Sequence, residues 1–169
     1  DKAPNLERDN IMTPKYLADA IISHYQPTGR ILEPCRGVGP TYSFWREWWD
    51  FCELVEGVDF LQVSCPSQHY DWVVTNCPWS QFRAFLRRSM EVSDNVVFLS
   101  LVNAFWIKAR LRDMREANFG MKEILFVETP PLPWPQTGFQ LGATHIQRGY
   151  VGNIKVSHFP LLTPSPQVG

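Results

Sequence analysis

The chain carries almost no excess charge and no long apolar run. Lysine and arginine total 16 against 17 aspartates and glutamates, a formal net charge of −1 over 169 residues. The global basic excess that marks many nucleic-acid binders is therefore missing, although a local basic patch stays open. No stretch approaches the roughly 20 apolar residues that cross a bilayer, and no basic-then-apolar leader opens the chain. Neither a membrane anchor nor a secretory leader is expected. Cysteine is scarce: Cys35, Cys52, Cys65 and Cys77 never form a CxxC pair. That spacing disfavours structural zinc, and a leaderless chain of this length is a poor disulfide framework. Four reduced thiols, no metal site and an intracellular location are expected.

What is present is apolar and aromatic. With 44% hydrophobic residues the chain can bury one core, which excludes wholesale disorder. The 7 Trp, 5 Tyr and 11 Phe exceed what such a core usually needs, a hint of an aromatic surface. Thr13-Pro14 opens a helix, Thr13 as N-cap and Pro14 in the first helical position, which runs to the stop at Pro27-Thr28-Gly29. Strands are predicted over 30–33, 51–55, 70–75, 95–102 and 121–128, with Asp59-Phe60-Leu61 opening another. Helices are predicted over 41–49, 80–90 and 107–118. Four prolines within 129–135 exclude regular structure there. Two strand-like runs within 139–157 read as a terminal antiparallel hairpin. The alternation implies an α/β fold, a mostly parallel twisted sheet with helices on both faces. One domain over residues 1–162 and a flexible tail over 163–169 are expected.

In such sheets ligands bind beyond the carboxyl ends of the strands. Two unusual turns, 34–40 and 76–79, should share that edge. In the first, Gly37-Val38-Gly39 lets backbone approach a ligand. A GxG is equally a tight strand-to-helix turn, and Pro40-Thr41-Tyr42 breaks the dinucleotide fingerprint GxGxxG, which argues against a nicotinamide cofactor. Glu53 ends the second strand, where a carboxylate could accept from ribose hydroxyls, with Glu56 as a competitor. Asp59-Phe60 offers an acceptor beside a flat ring. Asn76-Cys77-Pro78-Trp79 is the most informative tetrapeptide. The Asn76 side-chain carbonyl and the Cys77 backbone carbonyl can both accept from one NH2 group, while Trp79 can hold a planar base or amide above them.

These motifs, in this order, resemble the class I S-adenosylmethionine-dependent amino-methyltransferases. The closest likeness is to the N6-adenine DNA methyltransferases of the Asn-Pro-Pro-aromatic type with motif order X, I, IV. Thr13-Pro14 looks like motif X, and Ile31 to Gly39, with Glu33, Cys35, Gly37 and Gly39, looks like motif I. Glu53 matches the acid of motif II, Asp59-Phe60 the adenine-contacting pair of motif III, and Asn76-Cys77-Pro78-Trp79 motif IV. The resemblance implies a Rossmann-like methyltransferase core, here abbreviated by one helix, and S-adenosylmethionine as cofactor. It implies that Asn76, Cys77, Pro78 and Trp79 are catalytic. Thr13, Pro14, Glu33, Cys35, Gly37, Gly39, Glu53, Asp59 and Phe60 would hold the cofactor. Two departures stand out: Cys77 replaces a proline, and the bulky Arg36, where the family prefers a small residue, must point outward.

The implied substrate is an exocyclic amine of a nucleic-acid base, adenine N6 in DNA first. Arg83, Arg87 and Arg88, and then Lys108, Arg110, Arg112 and Arg115, are candidate phosphate contacts, each also readable as a solvated helix face. Trp134 and Phe139 are candidate walls of the substrate cleft. A partner subunit could supply target choice, and no membrane contact is implied. The location implied is cytoplasmic or nuclear, with a phage- or virus-encoded origin open. Two alternatives remain: a guanine-N2 RNA or protein-glutamine methyltransferase, and a degenerate methyltransferase-like subunit that only binds nucleic acid.

Overall fold

The computed structural model describes residues 12–37, 44, 46–52, 59–62 and 68–158. Its centre is a strand with no polar face. In β4 (Ser93–Leu101) Val96 and Phe98 point into one apolar cluster, and Val97 and Leu99 into another on the opposite face. A strand apolar on both sides is stable only when both sides are covered. β1 (Ile31–Glu33) and β3 (Tyr70–Thr75) split in the same way, Leu32 and Val73 to one side and Ile31 and Val74 to the other.

Three helices cover the two faces. α1 (Lys15–Tyr25) buries Leu17, Ala18 and Ile21 on one face. α2 (Phe82–Val92) buries Phe82, Phe85, Leu86 and Met90 on the other, where Met114 of α3 (Lys108–Glu116) joins them. With β2 (Asp50–Phe51), β5 (Phe119–Phe126), β6 (Leu141–Arg148) and β7 (Lys155–His158), the strands form one seven-stranded sheet in the order β2-β1-β3-β4-β6-β5-β7. The pairs β1–β2, β1–β3, β3–β4 and β5–β7 are parallel; β6 runs antiparallel to both β4 and β5. The fold is the α/β arrangement anticipated, mostly parallel and covered on both faces. No helix among the described residues is long and apolar enough to cross a membrane.

Four expectations need correction. The C-terminal antiparallel pair exists, but it joins β5 and β6 rather than two strands within 139–157. β7 pairs parallel with β5 at the sheet edge, because β6 is already flanked by β4 and β5. Arg46–Trp49 is a turn closed by the Trp49 N–H on the Arg46 carbonyl at 2.9 Å, not the end of a helix, and Phe44 is likewise non-helical. Asp59–Gln62 is a tight turn rather than a strand. Finally, Cys52 is disulfide-bonded while Cys35 and Cys77 form no disulfide, so the expectation of four reduced thiols fails at Cys52. Cys65 and the tail over 163–169 lie outside the described residues.

α1 is fastened to the sheet by polar groups as well as apolar ones. The Tyr25 hydroxyl donates to the Ala143 carbonyl at 2.7 Å, and His24 Nε2 meets Glu123 at 2.6 Å. Beside them, His145 stacks on Trp72 with centroids 4.8 Å apart. The Asn95 amide donates to the Asp71 carbonyl, so its oxygen faces His145 Nε2 at 2.9 Å, and that nitrogen carries the proton. Burial, with Lys122 nearby, pushes the His145 pKa down to about 4. The unfolded chain protonates His145 near pH 6.5, the folded chain only near pH 4. Stability is therefore full above about 6.5 and declines as pH falls toward 4, by roughly 1.4 kcal/mol per unit. Thermal unfolding midpoints between pH 7 and 4.5 should show this loss, and H145Q should flatten the profile.

Candidate functional site

β1, β2, β3 and β4 are parallel, so the segments that follow them emerge at one edge of the sheet. The two turns singled out in the sequence meet there, together with the segment that leads into α1. Thr13 links them. Its Oγ1 accepts the Nδ2–H of Asn76 at 3.0 Å, across 63 residues of chain. The Asn76 Oδ1 in turn accepts the Nε1–H of Trp79 at 3.1 Å. An indole can only donate, so its bond settles which end of the Asn76 amide is oxygen. Thr13 is therefore not a helix cap. No side chain caps α1, whose first turn closes on the Pro14 carbonyl through Leu17 N and Ala18 N at 3.1 Å each.

Pro78, at φ −54° and ψ 117°, turns the chain out of β3 into the short 3-10 helix Trp79–Gln81. Cys77 is buried, its side chain part of the apolar cluster that includes Phe82 and Phe85. The thiol thus belongs to the core beneath the edge. Asn76 itself is only partly buried. Its Oδ1 has a second lone pair beyond the one used by Trp79.

The turn after β1 is built by Glu33. Its buried carboxylate accepts the Cys35 N–H at 2.8 Å, and its carbonyl accepts the Cys52 N–H at 3.0 Å. Gly37 adopts φ +79°, and a Cβ there would lie 2.5 Å from Met12 Cε. The left-handed φ is what calls for glycine here, since the end of the flexible Met12 side chain could move aside. Arg36 does not point outward as expected. It is 7% exposed, and its guanidinium lies 3.6 Å from the centroid of the Phe51 ring. The Phe51 ring on β2 gives this buried cation an aromatic face to lie on.

Asp59 sits half-buried, its Oδ1 accepting the Leu61 N–H at 2.9 Å. Phe60 is 2% exposed and packs on Phe85 at 5.5 Å, so it is a core residue and presents no flat surface to a base. Gly39, Glu53 and Glu56 lie outside the described residues. Thr13, Glu33, Cys35, Gly37, Cys52 and Asn76 are thus gathered at one edge, with Phe60 turned beneath it.

The predicted nucleic-acid contacts divide. Arg83 is committed to Asp113 through Nε at 2.7 Å and Nη2 at 3.0 Å, a bond that holds the Asp113 carboxyl below its ordinary range. Arg87 is exposed, but it lines a cleft with Asp113, Glu116 and Arg148 on the α2–α3 side, not the Asn76 corner. Trp134 is 3% exposed and meets Trp79 edge-on at 6.1 Å, so it braces that ring rather than forming a cleft wall. Phe139 is 60% exposed. Arg110 is turned inward, donating to the Ala104 carbonyl at 2.8 Å and lying 4.8 Å over Phe82. Two features were missed. Met12 packs on Gly37, and Trp106 is left in solvent at 57% exposure. The signal for the second was a Trp-Ile pair between an apolar strand and a basic helix.

No protein-family model matches the chain, and no curated protein matches it in sequence. Solved structures do resemble it. A candidate class I S-adenosylmethionine-dependent methyltransferase from Listeria monocytogenes superposes with a TM-score of 0.60 at 12% identity, covering 92% of this chain and 68% of that one. A candidate RNA methyltransferase from Pyrococcus horikoshii gives 0.56 at 13%, covering 87% and 90%. A chain of a type I restriction-modification system gives 0.56 at 14%, covering 89% of this chain and 45% of that one. The chain therefore has the fold of class I methyltransferases.

The Arg36–Phe51 contact generates a test. A double-mutant cycle of R36A with F51L, read by urea unfolding, should give a coupling energy of about 1 kcal/mol, rising toward 2 if the pair is fully desolvated.

Proposed function

We propose that the chain is an S-adenosylmethionine-dependent methyltransferase acting on an exocyclic amine of a nucleic-acid base, with adenine N6 in DNA as the acceptor. The observation that carries the reading is the Asn76 amide. It stands at the carboxyl end of β3 with its nitrogen tied to Thr13 and its oxygen oriented by Trp79, in a sheet with the fold of class I methyltransferases. In this reading Asn76 Oδ1 and the Cys77 carbonyl accept the two N–H groups of the target amine. Accepting both hydrogens draws the nitrogen toward tetrahedral geometry and frees its lone pair from the ring. Pro78 shapes the corner, and Trp79, braced by Trp134, lies against the base. S-adenosylmethionine, when bound, supplies an electrophilic methyl group.

The left-handed Gly37, the Glu33-built turn, and the joined Thr13 and Asn76 fit that cofactor along the sheet edge. Thr13, Pro14, Glu33, Cys35, Gly37 and Asp59 would hold it, with Gly39 and Glu53. Phe60, packed in the core, drops out of that set. A flipped target base would reach Trp79 at a cost of a few kcal/mol of unstacking, least in a single strand. A partner subunit that selects the target belongs to the reading, as the likeness to a chain of a restriction-modification complex suggests. Buried Arg36 on Phe51 favours one rival, a methyltransferase-like subunit that binds no cofactor.

The test is transfer of a labelled methyl group from S-adenosylmethionine to DNA, RNA and protein acceptors offered in parallel, with base analysis of the product. N76A should lower kcat by about a hundredfold or more, while calorimetry shows cofactor affinity nearly unchanged. Absence of any cofactor-binding heat would favour the rival; N76A turning over at the wild-type rate would end the proposal. T13V removes the acceptor of the Asn76 amide, so kcat should fall by about tenfold with KM for the nucleic-acid acceptor little changed, since the amide is then free to rotate, while KM for the cofactor rises because Thr13 also belongs to the cofactor set.

A further inference from the structure

β4 is followed by the 3-10 segment Val102–Trp106 and then by α3. The segment is anchored by Phe105, which is fully buried and meets the Phe82 ring edge-on at 5.0 Å. Phe82 lies three residues after Trp79, so this anchor ties the segment before α3 to the chain that leaves the Asn76 corner, and both follow parallel strands at the same edge of the sheet. The next residue, Trp106, faces solvent and makes no ring or cation contact among the described residues. Ile107 beside it is also exposed.

α3 continues from this point as a basic stripe. Lys108, Arg112 and Arg115 are all exposed, and their i, i+4, i+7 spacing puts them on one side of the helix, about one turn apart. None of the three forms an ion pair among the described residues, whereas neighbouring Arg83 is neutralised by Asp113. Arg110, on the opposite side, is turned inward on Phe82. Glu116 is the one acid exposed on the helix. The first turn contains no acidic residue, although the helix dipole favours acids there and disfavours Lys108. Lys108 is thus placed against helix stability, on a surface that also presents an unpartnered indole.

The geometry points to a track for single-stranded nucleic acid that leaves the Asn76 corner along α3. A base next to the target stacks on Trp106, and successive phosphates pass Lys108, Arg112 and Arg115. An indole face takes any base once it is unpaired, and free cations one helical turn apart take the backbone, the combination used by sequence-tolerant strand binders. This inference rests on the reading of a nucleic-acid acceptor, and it names the strand form and its path.

The experiment is fluorescence anisotropy of a labelled twelve-nucleotide single strand, DNA and RNA, over a salt series. A blunt duplex of the same sequence and polyglutamate serve as competitors. The three-site variant K108A/R112A/R115A should reduce the slope of log affinity against log salt by about 2. W106A should weaken binding about tenfold at every salt while leaving that slope unchanged. All these side chains are exposed, so unfolding midpoints should match wild type and serve as the folding control. An unchanged slope in the three-site variant, an unchanged affinity in W106A, or competition by duplex or polyglutamate equal to that of the single strand would overturn the track. The slope and affinity effects without methyl transfer by the wild type would keep the track and drop the methyltransferase reading; methyl transfer with both effects missing would do the reverse.

Discussion

Two neighbouring strands with no polar face constrain everything else in this molecule. β3 and β4 pair in parallel from Tyr70↔Ser93 to Thr75↔Phe98, and their side chains feed apolar clusters on opposite faces. Such strands need helices on both sides, and a parallel connection must return across a face before the next strand begins. The carboxyl ends therefore collect on one edge. The backbone groups and turns that follow them are the part of the sheet no helix covers, and this is where a polar pocket can be built without opening the core.

The corner at that edge depends on a single amide. Asn76 is held at its nitrogen by Thr13 and at its oxygen by Trp79. Tyrosine or phenylalanine in place of Trp79 could stack on a base, but neither has a ring N–H to orient the amide. Trp134, buried against the Trp79 ring, limits its motion in turn. The contact between residues 13 and 76 also explains why α1 starts where it does. Pro14 closes the first helical turn with its carbonyl, and the hydroxyl just before it is engaged across the edge instead of folded back on the helix.

The near-zero net charge conceals a divided surface. Arg83, Arg110 and Arg148 are each spent on partners within the chain: Asp113, the Ala104 carbonyl with Phe82, and Asp94 with the Met90 and Ser93 carbonyls. Lys108, Arg112 and Arg115 are not. A sum over the sequence counts all six alike, but only an unpaired charge in solvent projects a field toward a ligand.

Periodicity and turn chemistry alone determined most of the architecture. They gave the two-faced apolar runs at 70–75 and 95–102, the helices beginning near Lys15 and Phe82, the irregular 129–135, and the shared edge for the turns after β1 and β3. Asn76 and Trp79 were legible as a candidate site because a polar residue and an aromatic rarely follow a buried strand directly. Direction was not legible. Whether Arg36 faced solvent or Phe51, whether Phe60 lined a pocket or filled the core, and whether β6 paired with β5 or with β7 depended on neighbours distant in the chain. Local pattern reports a residue's preference for burial. Tertiary packing decides which partner satisfies it, since the free energies of a cation over a ring, a buried phenylalanine and a strand pairing arise only once both partners are in place.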